Sequence, residues 1–501
     1  MVHRVSFFYI CCNLSIFREM NLFRICLLTA VFALFFNNVE AGPGNAKTTG
    51  YNISVHIDGL ADSTVYLCYY FGDKQYVKDT LKLDKKASGT FNGPKPLEGG
   101  IYFVLVPGNY PLELMIDKEQ TFSISTKFTS DITDLVRYMR SEGSQEVGMY
   151  VDYQQFMLSQ NEKALALRSR LPKAKGSEEK SIRDSLAILS EEVMARWADI
   201  ENNHNKSLLA AVLRINKDID IPDFPRDADG NVLDSAFQYK FYKKHFFDNV
   251  DFQDARLLRT SFFQKKIDRY FEKMILQAPD TIIKESKMLL DKAEGCDEVF
   301  RFLLQTIFNK YNNSDIMGMD KVLVFFGDNY YLNGRATWAD STWLEKLRER
   351  VEELRYNQVG NQAVELKLYT YDDQPVTISG VNAEYTVLFF FEPSCGHCKK
   401  ATPKRKALAD KFWERGVEVM GIYTQTDKEE WGKFIESQGL ENWINAWDPY
   451  NQSGFRLFYD IRSTPSIYLL DRGKKIIAKR IDVETLEKVL EDEYARKDKK
   501  K

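Results

Sequence analysis

The stretch Tyr385-Thr-Val-Leu-Phe-Phe-Phe-Glu-Pro-Ser-Cys-Gly-His-Cys-Lys-Lys400 constrains this chain more than any other. Its apolar run stops abruptly at Cys395-Gly-His-Cys398 and gives way to a basic, helix-forming segment, the layout of a buried strand that delivers two thiols to a helix start. Cysteines three apart lie almost one above the other in a first helical turn, so their sulfurs can close a small disulfide. The unpaired backbone N–H groups of that turn stabilise a thiolate on the first cysteine. The spacing points to redox chemistry. Zinc ribbons use the same C-x-x-C spacing, but a zinc site needs four ligands, and the sequence offers no second C-x-x-C or histidine pair.

With 501 residues, the chain is too long for one core. About three domains are expected. Its formal charge is −3, and no basic stripe appears outside the tail Lys497 to Lys501, which reads as a solvated helix end. Nucleic acid is thereby set aside as a partner. Met20-Asn-Leu-Phe-Arg24, the apolar Ile25 to Phe36 and then Val39-Glu-Ala41 have the charged, apolar and small-residue order of a secretory signal. The apolar run is short for a bilayer span. Residues 1–41 are therefore expected to be a leader cleaved after Ala41, with translation starting at Met20 and a retained anchor as the lesser alternative. No cysteine stands directly after the cleavage point, so a lipid anchor is not supported. Of the seven cysteines, Cys11, Cys12 and Cys26 fall in the leader, and the mature chain keeps Cys68, Cys296, Cys395 and Cys398. So few in a large exported chain argue against a disulfide-stapled scaffold. Cys68, in a strand-like run, and Cys296, at a helix start, read as structural thiols.

Three regions follow the leader. Residues 50–127 alternate apolar and polar positions in short runs: Tyr51 to Ile57, Val65 to Tyr70, Tyr76 to Leu83, Ile101 to Val106, Leu112 to Ile116 and Phe122 to Ser125. Turn signals such as Asp58-Gly59 and Gly108-Asn109 separate the runs, which predicts an all-β sandwich. His56 is expected to be an ordinary strand residue. Over 130–357 the period changes to three and four, as in Ile182, Leu186, Leu189, Val193, Trp197 and Ile200, and predicts an irregular all-α domain without a fixed repeat. Its loop Ile221 to Gly230 carries three aspartates but lacks the spacing of an EF-hand, so it reads as a solvated turn. Over 361–495 strands and helices alternate. A hairpin is expected across Asp372-Asp373, then the Tyr385 to Phe391 strand, a helix from Gly396, a parallel strand at Val417 to Tyr423, a helix at Lys428 to Gln438, strands at Ser466 to Leu470 and Ile476 to Ile481, and a closing helix.

In this order, the apolar strand, Cys395-Gly-His-Cys398, the strand near Val417 and Ser463-Thr464-Pro465 ahead of an apolar strand resemble the thioredoxin superfamily. More narrowly they resemble its exported TlpA/ResA-type branch. The resemblance covers roughly the last 140 residues, which it implies have an α/β thioredoxin-like fold. The whole layout also resembles multidomain proteins of bacterial cell envelopes, which places the chain in the periplasm or envelope of a Gram-negative cell.

The resemblance implies that Cys395 attacks client disulfides and Cys398 resolves the mixed disulfide. It implies that Thr464-Pro465 is a cis-proline turn presenting backbone to a client peptide. His397, as an imidazolium beside a thiolate, would tune the cysteine pKa, and the Gly-His dipeptide is similar to that of protein disulfide isomerase. No cofactor and no metal are implied; the partners are protein thiols or disulfides and an upstream thiol donor or acceptor. Three positions depart from the pattern. Phe389 stands where thioredoxins bury an acid, Ala401 where ResA-type members carry Glu, and Ser394 where an aromatic precedes the first cysteine. Two readings compete: an exported thiol-disulfide oxidoreductase, or an envelope binding or scaffold protein with a redox-inactive last domain. A peroxidase is weaker, since no separate peroxidatic motif appears.

Overall fold

Along Tyr51–Asp58 (β1) buried and exposed residues alternate, because successive side chains of a strand point to opposite faces. The computed structural model describes residues 50–499, so the expected leader and its cleavage point lie outside the described residues. β1 is followed by β2 (Thr64–Phe71), β3 (Lys74–Lys82), β4 (Ser88–Gly93), β5 (Gly100–Val106), β6 (Tyr110–Ile116), β7 (Thr121–Lys127) and β8 (Arg140–Glu142). They form two sheets, ordered β4-β1-β7-β8 and β3-β2-β5-β6. Ile53, Val55, Leu67, Val104, Leu114 and Phe122 meet in one apolar layer between the sheets. β4 escapes the sequence reading because Phe91 is its one fully buried residue, and β8 because it has only three residues.

Nearly every residue of β5 is buried, on both faces. Tyr102, Val104 and Val106 fill the sandwich, while Ile101 turns the other way into a second apolar layer. Helices α1 (Gln145–Arg170), α2 (Ser177–Asn203) and α3 (Leu208–Ile215) close that layer, with Met115, Tyr150, Ile200, Leu209 and Leu213. A strand that lacks alternation is thus one covered on both sides. Ser144 and Ser207 accept the Val147 and Ala210 amides and start α1 and α3.

The described residues divide into two compact units. One runs to Met274 and takes in Gly295–Val299; the other comprises Ile275–Glu294 and the chain from Phe300. In the second unit helices that include α4 (Pro279–Lys292), α5 (Asp320–Phe326) and α6 (Ser341–Arg355) precede an α/β domain. That domain contains β9 (Lys367–Thr370), β10 (Pro375–Thr377), β11 (Tyr385–Phe391), α7 (Gly396–Phe412), β12 (Val417–Tyr423), α8 (Lys428–Gln438), β13 (Ile444–Trp447), β14 (Ser466–Asp471), β15 (Ile476–Lys479) and α9 (Val483–Asp498). The sheet order is β10-β9-β13-β12-β11-β14-β15, with β11 parallel to β12 and antiparallel to β14. All seven residues of β11 are buried, since helices or loops cover both faces of this central strand. β13 is absent from the sequence reading: its four residues are too few for a period to show. The chain is therefore a β-sandwich, a helical region and a C-terminal α/β domain.

Candidate active site

β11 ends at Phe391, and the chain turns through Glu392-Pro-Ser394 to place Cys395 at the N-cap of α7. Cys395 is extended (φ −73°, ψ 114°), and its Sγ accepts the Cys398 amide at 3.2 Å. A thiol here does what serine or aspartate does at other helix starts, satisfying an amide that has no partner within the helix. Cys395 Sγ also donates to the Thr464 carbonyl at 3.3 Å, and the Thr464–Pro465 peptide bond is cis. The α7 start and the loop before β14 thus converge on one sulfur.

The two thiols, both free, sit in opposite environments. Cys395 is half-buried, and burial alone pushes its pKa up. Hydrogen bonds from the Cys398 thiol and amide, the Thr464 hydroxyl and the His397 amide outweigh that and hold it below the ordinary thiol value. Cys398 is fully buried, in one apolar cluster with Phe389, Phe391, Phe434 and Trp443. That burial pushes its thiol well up, and the Glu392 amide offsets only part of the effect. The ordering is electrostatic: a thiolate is tolerated where amides face it and refused where rings do.

His397 is exposed, and what it gives Cys395 is its backbone N–H. Phe389 stacks on Phe391 (5.2 Å between centroids) and meets Trp443 edge-on at 5.8 Å. Where thioredoxins keep an acid, this domain has a wall of rings. Glu392 Oε2 accepts the Gln425 side-chain amide at 2.6 Å. Thr402, fully buried, donates to the Cys398 carbonyl at 2.8 Å and ties the first turn of α7 to the second. The carbonyl and hydroxyl of Thr464 and the Glu392 amide act on the thiols through folding, from positions that spacing alone does not mark. Of the other cysteines, Cys68 is buried and its pKa is pushed up to about 11 by that burial, while Cys296 is half-buried. His56 is exposed and its Nδ1 lies 2.9 Å from Ser88 Oγ. Among the described residues no cluster of metal-ligating side chains occurs.

Residues 359–479 match the AhpC/TSA family, and residues 220–357 match a domain of unknown function. Among solved structures, a domain of a possible thiol-disulfide isomerase from Cytophaga hutchinsonii is 37% identical over 28% of this chain and 97% of its own, with a TM-score of 0.27. A thioredoxin-like protein from Bacteroides caccae is 20% identical over 55% of this chain and 98% of its own, with a TM-score of 0.41. A thiol:disulfide interchange protein from Bacteroides sp. is 23% identical over 27% of this chain and 90% of its own, with a TM-score of 0.26. No curated protein matches the chain.

Proposed function

Because its last domain belongs to the AhpC/TSA family of thioredoxin-like proteins, we propose that this chain is an exported thiol-disulfide oxidoreductase exchanging a Cys395–Cys398 disulfide or dithiol with the thiols of client proteins. The observation that carries the reading is the contrast between the sulfurs: Cys395 is half-buried with a lowered pKa, and Cys398 is sealed with a raised one. Ionised Cys395 attacks one sulfur of a client disulfide; the client's S–S bond breaks and its other sulfur leaves as a thiolate that takes a proton. Cys398 loses its proton and attacks Cys395, closing the ring and releasing the second client thiol. Two electrons have passed to the client, and an upstream dithiol must return them. Thr464 and Pro465 border Cys395 and supply backbone against which an extended client segment can pair.

With Phe389 and Ala401 where the resemblance puts acids, neither of those carboxylates takes the Cys398 proton, which passes to another group or to water. The periplasm or cell envelope is the proposed location, on the leader expected in residues 1–41. Among the described residues no helix is long and apolar enough to cross a membrane.

The test is the reduction potential of the Cys395–Cys398 couple, by glutathione equilibration of the leaderless chain with Cys398→Ala as control. A value near about −270 mV assigns the chain to reduction of clients, and one near about −180 mV to oxidation or isomerisation. If no disulfide forms at any poise, the reading fails and the binding or scaffold alternative stands.

A further inference from the structure

A cavity of about 410 Å³ lies in the first unit between the β3-β2-β5-β6 sheet and α1 to α3. That is within the usual range for small-molecule sites. Aliphatic residues and six aromatic ones line the cavity, the latter being Tyr70, Phe103, Tyr150, Tyr153, Trp197 and Phe262. Two acids line it: Asp73, which is exposed, and Glu113, which sits among the rings. Glu113 is the single charged residue of β6, Tyr110-Pro-Leu-Glu-Leu-Met-Ile116, and protein closes around most of it. Part of its surface nonetheless stays open to water, because it borders the cavity and not packed atoms.

The polar accounting around Glu113 is lopsided. Tyr70 Oη donates to Glu113 Oε1 at 3.2 Å and Tyr150 Oη to Oε2 at 2.9 Å. Both bonds favour the ionised carboxylate, but burial outweighs them and pushes its pKa up, and among the described residues no salt bridge reaches it. Lys265, the cation that lines the cavity, is exposed and acts on Glu113 only at a distance. The Trp197 indole N–H is spent on Tyr153 Oη at 3.2 Å. Gln154 Oε1, also in the wall, is buried without a partner. Acceptors are therefore left over at a ring-lined site whose lining cation, Lys265, is exposed and acts on Glu113 only at a distance. A buried carboxylate costs several kcal/mol unless it is paired, on the order of what one good ion pair returns.

We propose that this cavity binds an apolar organic cation, an amine or ammonium carried on a hydrocarbon or aryl body. The charge pairs with Glu113, Gln154 takes a second N–H, and the body lies among Phe103, Trp197 and Phe262. Rings around a cation add attraction through their negative faces. The inference is independent of the thiol chemistry, because none of these residues is near Cys395 in sequence or belongs to its unit.

The test uses the leaderless full chain and three probes of one shape: 4-phenylbutylamine, 4-phenylbutanol and 4-phenylbutyrate, titrated by calorimetry. The amine is expected to bind saturably and more tightly than the alcohol, with the carboxylate weakest. Glu113→Gln should weaken the amine by about tenfold or more and leave the alcohol nearly unchanged, as loss of a hydrogen bond to a charged group requires. Val212→Phe, which fills the cavity, should abolish binding of both and so serves if Glu113→Gln misfolds; thermal melting checks each variant. Equal binding of the three probes, tighter binding of the carboxylate, unaltered amine affinity in Glu113→Gln, or no saturable binding up to the amine's solubility each overturns the proposal.

Discussion

At the level of single residues the redox pair is a division of labour set by surroundings. Cys395 and Cys398 are the same chemical group 3 positions apart, yet one thiolate is stabilised by the neighbouring thiol, two amides and a hydroxyl while the other is denied by a shell of rings. The folded Cys395 pKa is depressed, so its thiolate persists below the ordinary thiol value near about 8.5 and is lost only as pH falls through the lowered folded value. Iodoacetamide should therefore modify Cys395 with a pH midpoint below that of free cysteine, and Cys398 hardly at all in the folded chain. Thr464→Val, which removes the hydroxyl and keeps the shape, should move that midpoint upward. Mass spectrometry of alkylated peptides across a pH series reads both outcomes. A midpoint unchanged in Thr464→Val would show that the Cys398 thiol and the amides set it without the hydroxyl.

The elements explain why the reactive sulfur is also a structural one. Cys395 caps α7, so its replacement tests two roles at once. Serine keeps an acceptor for the Cys398 amide and alanine does not. Cys395→Ala should therefore be less stable than Cys395→Ser by about 1 kcal/mol, the usual worth of an N-cap, in urea unfolding followed by tryptophan fluorescence. Equal stability would mean that the cap bond contributes nothing. This element was plain in the sequence, because a long apolar run ending in Cys-Gly-His-Cys leaves few alternatives. So were α8, which begins after the Asp427 cap and stops before Gly439 in a left-handed conformation, and β1, whose alternation is complete. What stayed hidden was set by tertiary partners. β13 is four residues pinned between β12 and β9, and β4 has one fully buried side chain. Glu113 was readable only as a lone acid in an apolar strand; the two tyrosines that bond it come from β2 and α1.

Taken whole, the chain keeps the Cys395–Cys398 pair in one unit and its acid-lined cavity in the other, and the unit with the pair is more than the α/β domain. Helices from Ile275 onward belong to it, and they reach β15, the edge strand of the sheet. Lys479 of β15 is buried, and its ammonium bonds Asp320 Oδ2 at 2.7 Å and Asn357 Oδ1 at 2.6 Å. Asp460 likewise binds Arg350 of α6 at 2.6 Å together with Arg480 at 2.8 Å. These pairs fix where the helices meet the sheet, which packing of apolar surface alone would leave to slide. A buried pair is weak evidence for net stability, but breaking one side of it is costly. Asp320→Ala should thus destabilise this unit by about 3 kcal/mol, whereas Asp320→Ala with Lys479→Met should recover most of the loss, because the double variant no longer buries a lone charge. Burial already lowers the Lys479 pKa, against the pull of Asp320. The unfolded chain then holds the proton to higher pH than the folded one, and stability rises with pH between the two values. Without Asp320 the folded value falls further, so the penalty of the single variant should shrink as pH is raised through that window and the buried amine becomes neutral. Urea midpoints of the three chains at neutral and at alkaline pH measure this. A single variant as stable as the parent at neutral pH would mean that water reaches Lys479 and that its pair with Asp320 does not hold the helices to β15.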